Sequence, residues 1–155
     1  MKIYVASSWR NTYQKEVVER LRVLGHEVYD FRGTGDGWGN GEKGPGGFGW
    51  HEIEPSWKEL WTADIASYIA ALDHPRAKEG FKRDMDALEQ CDACIMVNPC
   101  GQSAHAEMGW AAGAGKLVAV YCPEVREPDL MVKMANLVTN QWSSIELWLR
   151  VPLEV

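Results

Sequence analysis

The stretch from Ala93 to Lys116, ACIMVNPCGQSAHAEMGWAAGAGK, constrains the fold more than any other part of the chain. Cys94 to Val97 is a short, continuously apolar run, which suits a strand covered on both faces, as in a parallel sheet. Asn98-Pro99-Cys100-Gly101 breaks it. Ser103 is placed to cap a following helix through its hydroxyl, and small residues carry that helix to Gly113 or Gly115, the usual stop.

On a 3.6-residue repeat, Ala104, Met108, Ala111 and Ala112 form one stripe of this helix, and Glu107 falls inside it. An acid therefore sits on the face expected to be buried. Carboxylates are rarely taken out of water without a reason. The reading places Glu107 in the first turns of the helix, where the positive end of the dipole favours its ionised form. It is the first candidate for chemistry.

The start of the chain supplies the frame. Lys2 to Ala6 reads as a strand, followed by Ser7-Ser8-Trp9. A helix beginning at Asn11 or Thr12 carries Val17, Val18, Leu21 and Leu24 to Gly25, and His26 to Phe31 alternates as a second strand. Strand, helix, strand over thirty residues is a βαβ unit with parallel strands.

From Gly33 to Gly49 glycine takes about every second position. Two matches to GxGxxG occur here, at Gly39 to Gly44 and Gly44 to Gly49, but a working nucleotide fingerprint follows the first strand and opens a helix directly. The segment reads either as a mobile surface loop or as a lid whose Trp38, Phe48 and Trp50 cover a planar ligand. Pro55 then opens a helix expected to run to Leu72. Its apolar band of Trp57, Leu60, Trp61, Ile65, Tyr68, Ile69 and Leu72 is wide for one side of a small sheet, as a subunit contact would require. A further helix to about Gln90 carries Phe81, Met85 and Leu88 on one stripe, with Asp84 between the first two. A second carboxylate thus faces inward. Leu117 to Tyr121 is another strand, Leu130 to Met134 a short helix, Asn136 to Thr139 an edge strand and Trp142 to Arg150 a closing helix.

At 155 residues the chain is expected to form a single domain, 1–155, with the glycine-rich loop at 33–49. A net charge of −6 with no cluster of Lys or Arg argues against a nucleic-acid or membrane partner. Small anionic ligands stay open, since a helix N-terminus holds phosphate without a basic surface. No export signal or membrane span is read. Cys91, Cys94, Cys100 and Cys122 fall in or beside buried elements and point to reduced thiols in a cytoplasm. Cys91 and Cys94 have CxxC spacing but no second pair, so no metal is expected.

In an open parallel sheet, ligands sit at the carboxyl ends of the strands, where strand order reverses. For the order 2-1-3-4-5 that crevice lies between the first and third strands, walled by Ser7-Ser8-Trp9 and Asn98 to Ser103. Asp84 and Glu107, each taken as early in its helix, both look into it. Paired carboxylates suit cleavage of a glycosidic bond, one attacking the anomeric carbon and the other managing the leaving group's proton. On this reading Glu107 stays charged and the more deeply buried Asp84 is protonated. Tyr4 orients Glu107, and Trp9 offers a flat face to a base or sugar. The bland alternative pairs each acid with an arginine such as Arg83 or Arg10.

Three stretches, IYVASSW at the start, DMDALEQCD from Asp84 to Asp92, and GQSAHAEMGWAAGAGK from Gly101 to Lys116, together resemble the nucleoside 2-deoxyribosyltransferase family, including its deoxynucleoside 5'-monophosphate N-glycosidases. The resemblance implies an α/β, flavodoxin-like (Rossmann-like) three-layer sandwich with a five-stranded, mostly parallel sheet. It implies a retaining double displacement without cofactor on a small-molecule nucleoside or nucleotide, in a homo-oligomer. Glu107 attacks C1', Asp84 binds the base and passes it a proton, Tyr4 positions the nucleophile, and Asp92 supports the loop. Ser7, Ser8, Trp9, Gly101, Ser103 and His105 complete the implied substrate site, with Ser103 and Gly101 able to hold a 5'-phosphate. The glycine-rich insertion and His105, where many transferases have an apolar or aromatic residue, depart from the family pattern. Two rivals stand beside the transferase: a hydrolase in which water replaces the acceptor base, and a non-catalytic nucleotide binder or signalling protein on the same fold.

Overall fold

A computed structural model describes residues 1–39 and 46–151. The first GxGxxG match, Gly39 to Gly44, therefore lies largely outside the described residues. Five parallel strands, β1 (Lys2–Ala6), β2 (Glu27–Asp30), β3 (Ala93–Val97), β4 (Leu117–Tyr121) and β5 (Leu137–Thr139), form one sheet in the order β2-β1-β3-β4-β5. The chain supplies what that order needs. All five residues of β3 are buried, as expected of a central strand with helices on both faces.

Side chains of successive strand residues point to opposite faces, so each strand feeds two cores. Ile3, Val5, Val28, Ile95, Val97 and Ala119 pack against α1 (Gln14–Val23) through Val17, Val18 and Leu21 and against α6 (Trp142–Arg150) through Ile145. Tyr4, Ala6, Tyr29, Cys94, Met96, Val118 and Val120 face the other way. They meet Ala87 and Leu88 of α4 (Pro75–Gln90) and Ala104, Met108 and Ala111 of α5 (Gln102–Gly113). The result is the three-layer sandwich expected from the sequence, and the two candidate acids, Asp84 and Glu107, come from the helices of this second layer.

Local chemistry corrects three elements. The helix expected from Pro55 to Leu72 is two, α2 (Trp57–Ala63) and α3 (Ile65–Ala71), because Asp64 turns extended and caps the second helix. Its carboxylate accepts from the Ser67 amide at 3.2 Å and from the Ser67 hydroxyl at 2.6 Å, a local bond that competes with helix continuation. Leu60, Ile65, Tyr68, Ile69 and Leu72 stay exposed rather than entering the core, and Phe81, expected on the buried stripe of α4, is 69% exposed. Leu130–Met134 is a 3-10 turn rather than an α-helix.

Candidate active site

Tyr4 and Tyr29 are register partners on adjacent strands, so their side chains leave the sheet on the same face. The rings stack with centroids 4.7 Å apart. Above them stand the two acids, Asp84 from α4 and Glu107 from α5. The Tyr29 hydroxyl donates to Asp84 Oδ1 at 2.5 Å, and its oxygen accepts from Arg83 Nη1 at 3.1 Å. The Tyr4 hydroxyl is buried and makes no well-formed hydrogen bond of its own. It lies close enough to Glu107 to offset part of the cost of ionising it.

Burial lifts the Glu107 carboxyl to about 8, with the negative charge of Asp84 adding to the rise and Tyr4 opposing it. Burial also raises Asp84, but the Tyr29 hydrogen bond and the Arg83 charge hold it down. The two carboxyls titrate as a pair, and the charge on Asp84 adds to the rise at Glu107. Burial thus raises Glu107, where the sequence reading expects the helix dipole to keep it charged. Glu107 lies beyond the first turn of α5 and Asp84 well inside α4, whereas a helix dipole acts mainly within the terminal turn. The tyrosine buried phenols respond in kind: burial, then the two carboxylates, raises Tyr4 well above the usual range.

Among the described residues neither acid is held in an ion pair with arginine. Arg83 instead donates to the Gly35 and Phe31 carbonyls at 3.0 and 3.1 Å and to the Gly33 carbonyl. Tyr29 is the member of this site that sequence reasoning missed, and Arg83, read there only as a possible ion-pair partner, bonds Tyr29 instead. A tyrosine on β2 facing the same way as Tyr4 is visible only once the β1–β2 register is known.

The loops at the carboxyl edge are tied to one another. Ser7 Oγ donates to the Val97 carbonyl at 2.9 Å, and Ser8 Oγ accepts from the Arg10 amide at 3.2 Å. Trp9 is 53% exposed at the rim, its indole N–H on the Phe48 carbonyl at 3.2 Å and the Arg32 guanidinium 5.8 Å from its ring centre. One face of the indole is thus already attended. Gly101, not Ser103, is the N-cap of α5, because helical bonding starts two residues earlier than expected. Ser103 sits exposed on the first turn. His105 bridges the Gly101 carbonyl at 2.8 Å and Asp129 at 3.3 Å. Cys100 lies close enough to Glu107 for burial and that charge to push its thiol up to about 12. Asp92 is not brought to the acids. It precedes β3 at the opposite edge of the sheet and accepts from the Lys2 amide at 2.7 Å.

The lid aromatics are engaged within the chain. Trp38 tilts on Tyr29 at 5.5 Å, Phe48 meets Trp50 edge-on at 4.9 Å, and Trp50 meets Trp61 at 5.2 Å. A cavity of about 430 Å³ opens between α4 and the glycine-rich segment, beside Trp38, Arg76, Lys82 and Arg83, but neither acid lines it.

The topology and the five-stranded parallel sheet define a flavodoxin-like α/β protein. Comparison with solved structures finds a 2-deoxyribosyltransferase from Bacillus psychrosaccharolyticus at 23% identity and a TM-score of 0.57, covering 94% of this chain and 90% of that one. It also finds the Clostridium botulinum CMP N-glycosidase BcmB at 16% identity and a TM-score of 0.49, covering 97% of this chain and 100% of that one. No protein-family model matches the chain, and no curated protein matches it. The likeness to the deoxyribosyltransferase establishes a shared fold.

Proposed function

We propose that the chain acts on the N-glycosidic bond of a 2'-deoxynucleoside, with Glu107 as nucleophile and Asp84 as the acid that serves the base. The observation that carries this reading is the meeting of two carboxyls from separate helices over the Tyr4–Tyr29 stack, both raised by burial, with the charge of Asp84 felt at Glu107. Ionised Glu107 attacks C1' as the bond from C1' to the base nitrogen breaks. The electron pair leaves with the base, and Asp84 delivers the proton that neutralises it. One carboxylate and one acid are what these roles require, and a singly protonated pair holds both. Water or a second base then takes the sugar from Glu107.

Tyr4 steadies the Glu107 anion, while Ser7, Ser8, Trp9, Gly101 and His105 form the rim that receives the substrate. The fold shared with a 2-deoxyribosyltransferase supports the same reading. A 5'-monophosphate substrate is favoured by one feature: Ser103 does not cap α5, so its hydroxyl and the first-turn amides are open to an anion. The exposed apolar residues of α2 and α3 are the surface on which we place a homo-oligomer contact. The four thiols fit a reducing cytoplasm.

The test is incubation with each 2'-deoxynucleoside and its 5'-monophosphate, with and without a second free base, followed by chromatography. Exchanged nucleoside identifies a transferase, and free base with free sugar or sugar phosphate identifies a hydrolase. No change in any mixture, with nucleotide binding that survives Glu107→Ala, would replace the enzyme by a binding protein.

A further inference from the structure

Where its residues are described, the glycine-rich segment lies directly on β2 and the chain just beyond it. The Gly37 carbonyl accepts from the Asp30 amide at 2.9 Å. At φ 84°, Gly37 rests on the Tyr29 ring so closely that a Cβ there would stand 2.4 Å from Cε2. A Cβ on Gly47 would stand 1.8 Å from the Phe31 carbonyl oxygen. The glycines are needed because backbone, rather than side chains, forms this contact. Trp38 closes over another part of the same ring. Arg83 then joins the segment to α4 through the Gly33, Gly35 and Phe31 carbonyls, and the same guanidinium reaches the Tyr29 oxygen.

A phenol has one proton to donate. With Arg83 donating to its oxygen, the Tyr29 hydroxyl is turned toward Asp84 Oδ1. We infer that the glycine-rich segment is a positioning element for Asp84: it seats Tyr29 on the sheet and, through Arg83, aims the Tyr29 hydroxyl at the carboxylate. Tyr29 is thereby a positioning residue, a role that rests on the reading of Asp84 as the acid serving the base. A lid would keep Trp38 free for a ligand, whereas here its partner is Tyr29.

The groups facing Asp84 are Tyr29 from β2, Arg83 on its own helix, and the neighbouring Glu107 of α5 with Tyr4 of β1. The Cys94 and Cys100 thiols face Glu107. Tyr29 donates to the ionised form of Asp84, so its loss makes Asp84 hold a proton more tightly.

Tyr29→Phe keeps the ring stack and deletes only the donor. Titration of the Asp84 side-chain carboxyl by carbon-13 NMR in the full chain should move upward by about one pH unit. Gly37→Ala, whose Cβ displaces Tyr29, should move it the same way while circular dichroism retains the native spectrum. In turnover, Tyr29→Phe should lower kcat by ~10- to 100-fold with KM little changed, and the acid limb of the pH profile should rise with the titration. An Asp84 titration in Tyr29→Phe superimposable on the wild type overturns the inference. If Gly37→Ala does not fold, Tyr29→Phe decides alone. If the wild type turns over no nucleoside, the enzymatic reading fails, and the titration still decides whether Tyr29 holds Asp84.

Discussion

Asn11 donates its side-chain amide to the Pro99 carbonyl at 3.0 Å, tying the loop after β1 to the loop after β3 across the crevice between them. The same NH₂ reaches the Val97 carbonyl at 3.3 Å, while Oδ1 accepts from the Tyr13 and Gln14 amides, each at 2.7 Å, and opens α1. An amide is the side chain that both donates and accepts, and here it does both while buried. Together with the Ser7 hydroxyl on the Val97 carbonyl, Asn11 ties the crevice walls to one another.

Asn11→Ala removes the acceptor of the Tyr13 and Gln14 amides and leaves the Pro99 carbonyl without its side-chain donor, which should cost about 2 kcal/mol and lower Tm by roughly 5 °C. Asn11→Asp keeps that acceptor but sets a carboxylate against the Val97 and Pro99 carbonyls. Its loss of stability should be the smaller below the carboxyl's own titration and grow as pH rises. Thermal melts of the two variants at pH 4 and pH 8 check both statements; an Asn11→Asp protein as stable as the wild type at pH 8 would mean that the bridge is not made.

Glu107→Gln should separate stability from activity. The carboxyl moves from an ordinary 4.5 to about 8 on folding, so between these values the unfolded chain releases a proton that the native chain keeps. Stability therefore falls as pH rises from about 4.5 to about 8, and the full penalty is present above that window. Glutamine never ionises and escapes it. After allowance for its partial exposure, the variant should gain roughly 2 kcal/mol, or about 5 °C in Tm, at pH 9, and little at pH 4.5. Glycosidic turnover should fall by on the order of 10³ or more, because an amide does not attack C1'. A Tm difference independent of pH would show that Glu107 is not the group carrying the shift.

The pH dependence of turnover follows from the same pair of carboxyls. Glu107 gives up its proton as pH passes about 8, and once both carboxyls are ionised Asp84 has none to give the leaving base, so kcat/KM should decline tenfold per pH unit. On the acid side both carboxyls are protonated and no nucleophile remains, so the profile is a bell whose limbs belong to the pair rather than to either residue. Asp84→Asn should abolish the alkaline limb for any substrate whose base leaves without protonation. Initial rates from pH 4 to pH 10 measure both limbs.

Periodicity carried the elements, the two layers and the inward direction of Asp84 and Glu107, because burial on one face repeats at the spacing of the element, whereas the strand order came with the family resemblance. What holds the Asp84 carboxyl down did not follow from it. That depends on Tyr29 and Arg83, separated from Asp84 by 55 residues and by one, and on the β1–β2 register, which no local pattern encodes. The glycine-rich segment was illegible for a related reason. Glycine looks alike in a sequence whether its backbone is free or pressed onto a ring, and only the Tyr29 and Phe31 contacts tell the two apart. Asp92 misled through its place in a motif: it lies close to the Lys2 amide and far along β3 from the edge where the loops meet.

Ile65 is 65% exposed and Ile69 58% exposed, next to Leu60, Tyr68 and Leu72, on helices whose aromatic side is already engaged by Trp50 and Trp61. A cluster of exposed apolar side chains such as this marks a contact surface. A second copy of the chain is the partner we assign to it. Ile65→Asp with Ile69→Asp puts two carboxylates where that contact would dry, and a like-charged pair from the facing copy doubles the repulsion. Sedimentation or light scattering should show an oligomer for the wild type and a monomer for the double variant, with unchanged circular dichroism because neither side chain belongs to either core. A wild type that is monomeric at tens of micromolar would remove the assignment and leave α2 and α3 as a surface for another partner.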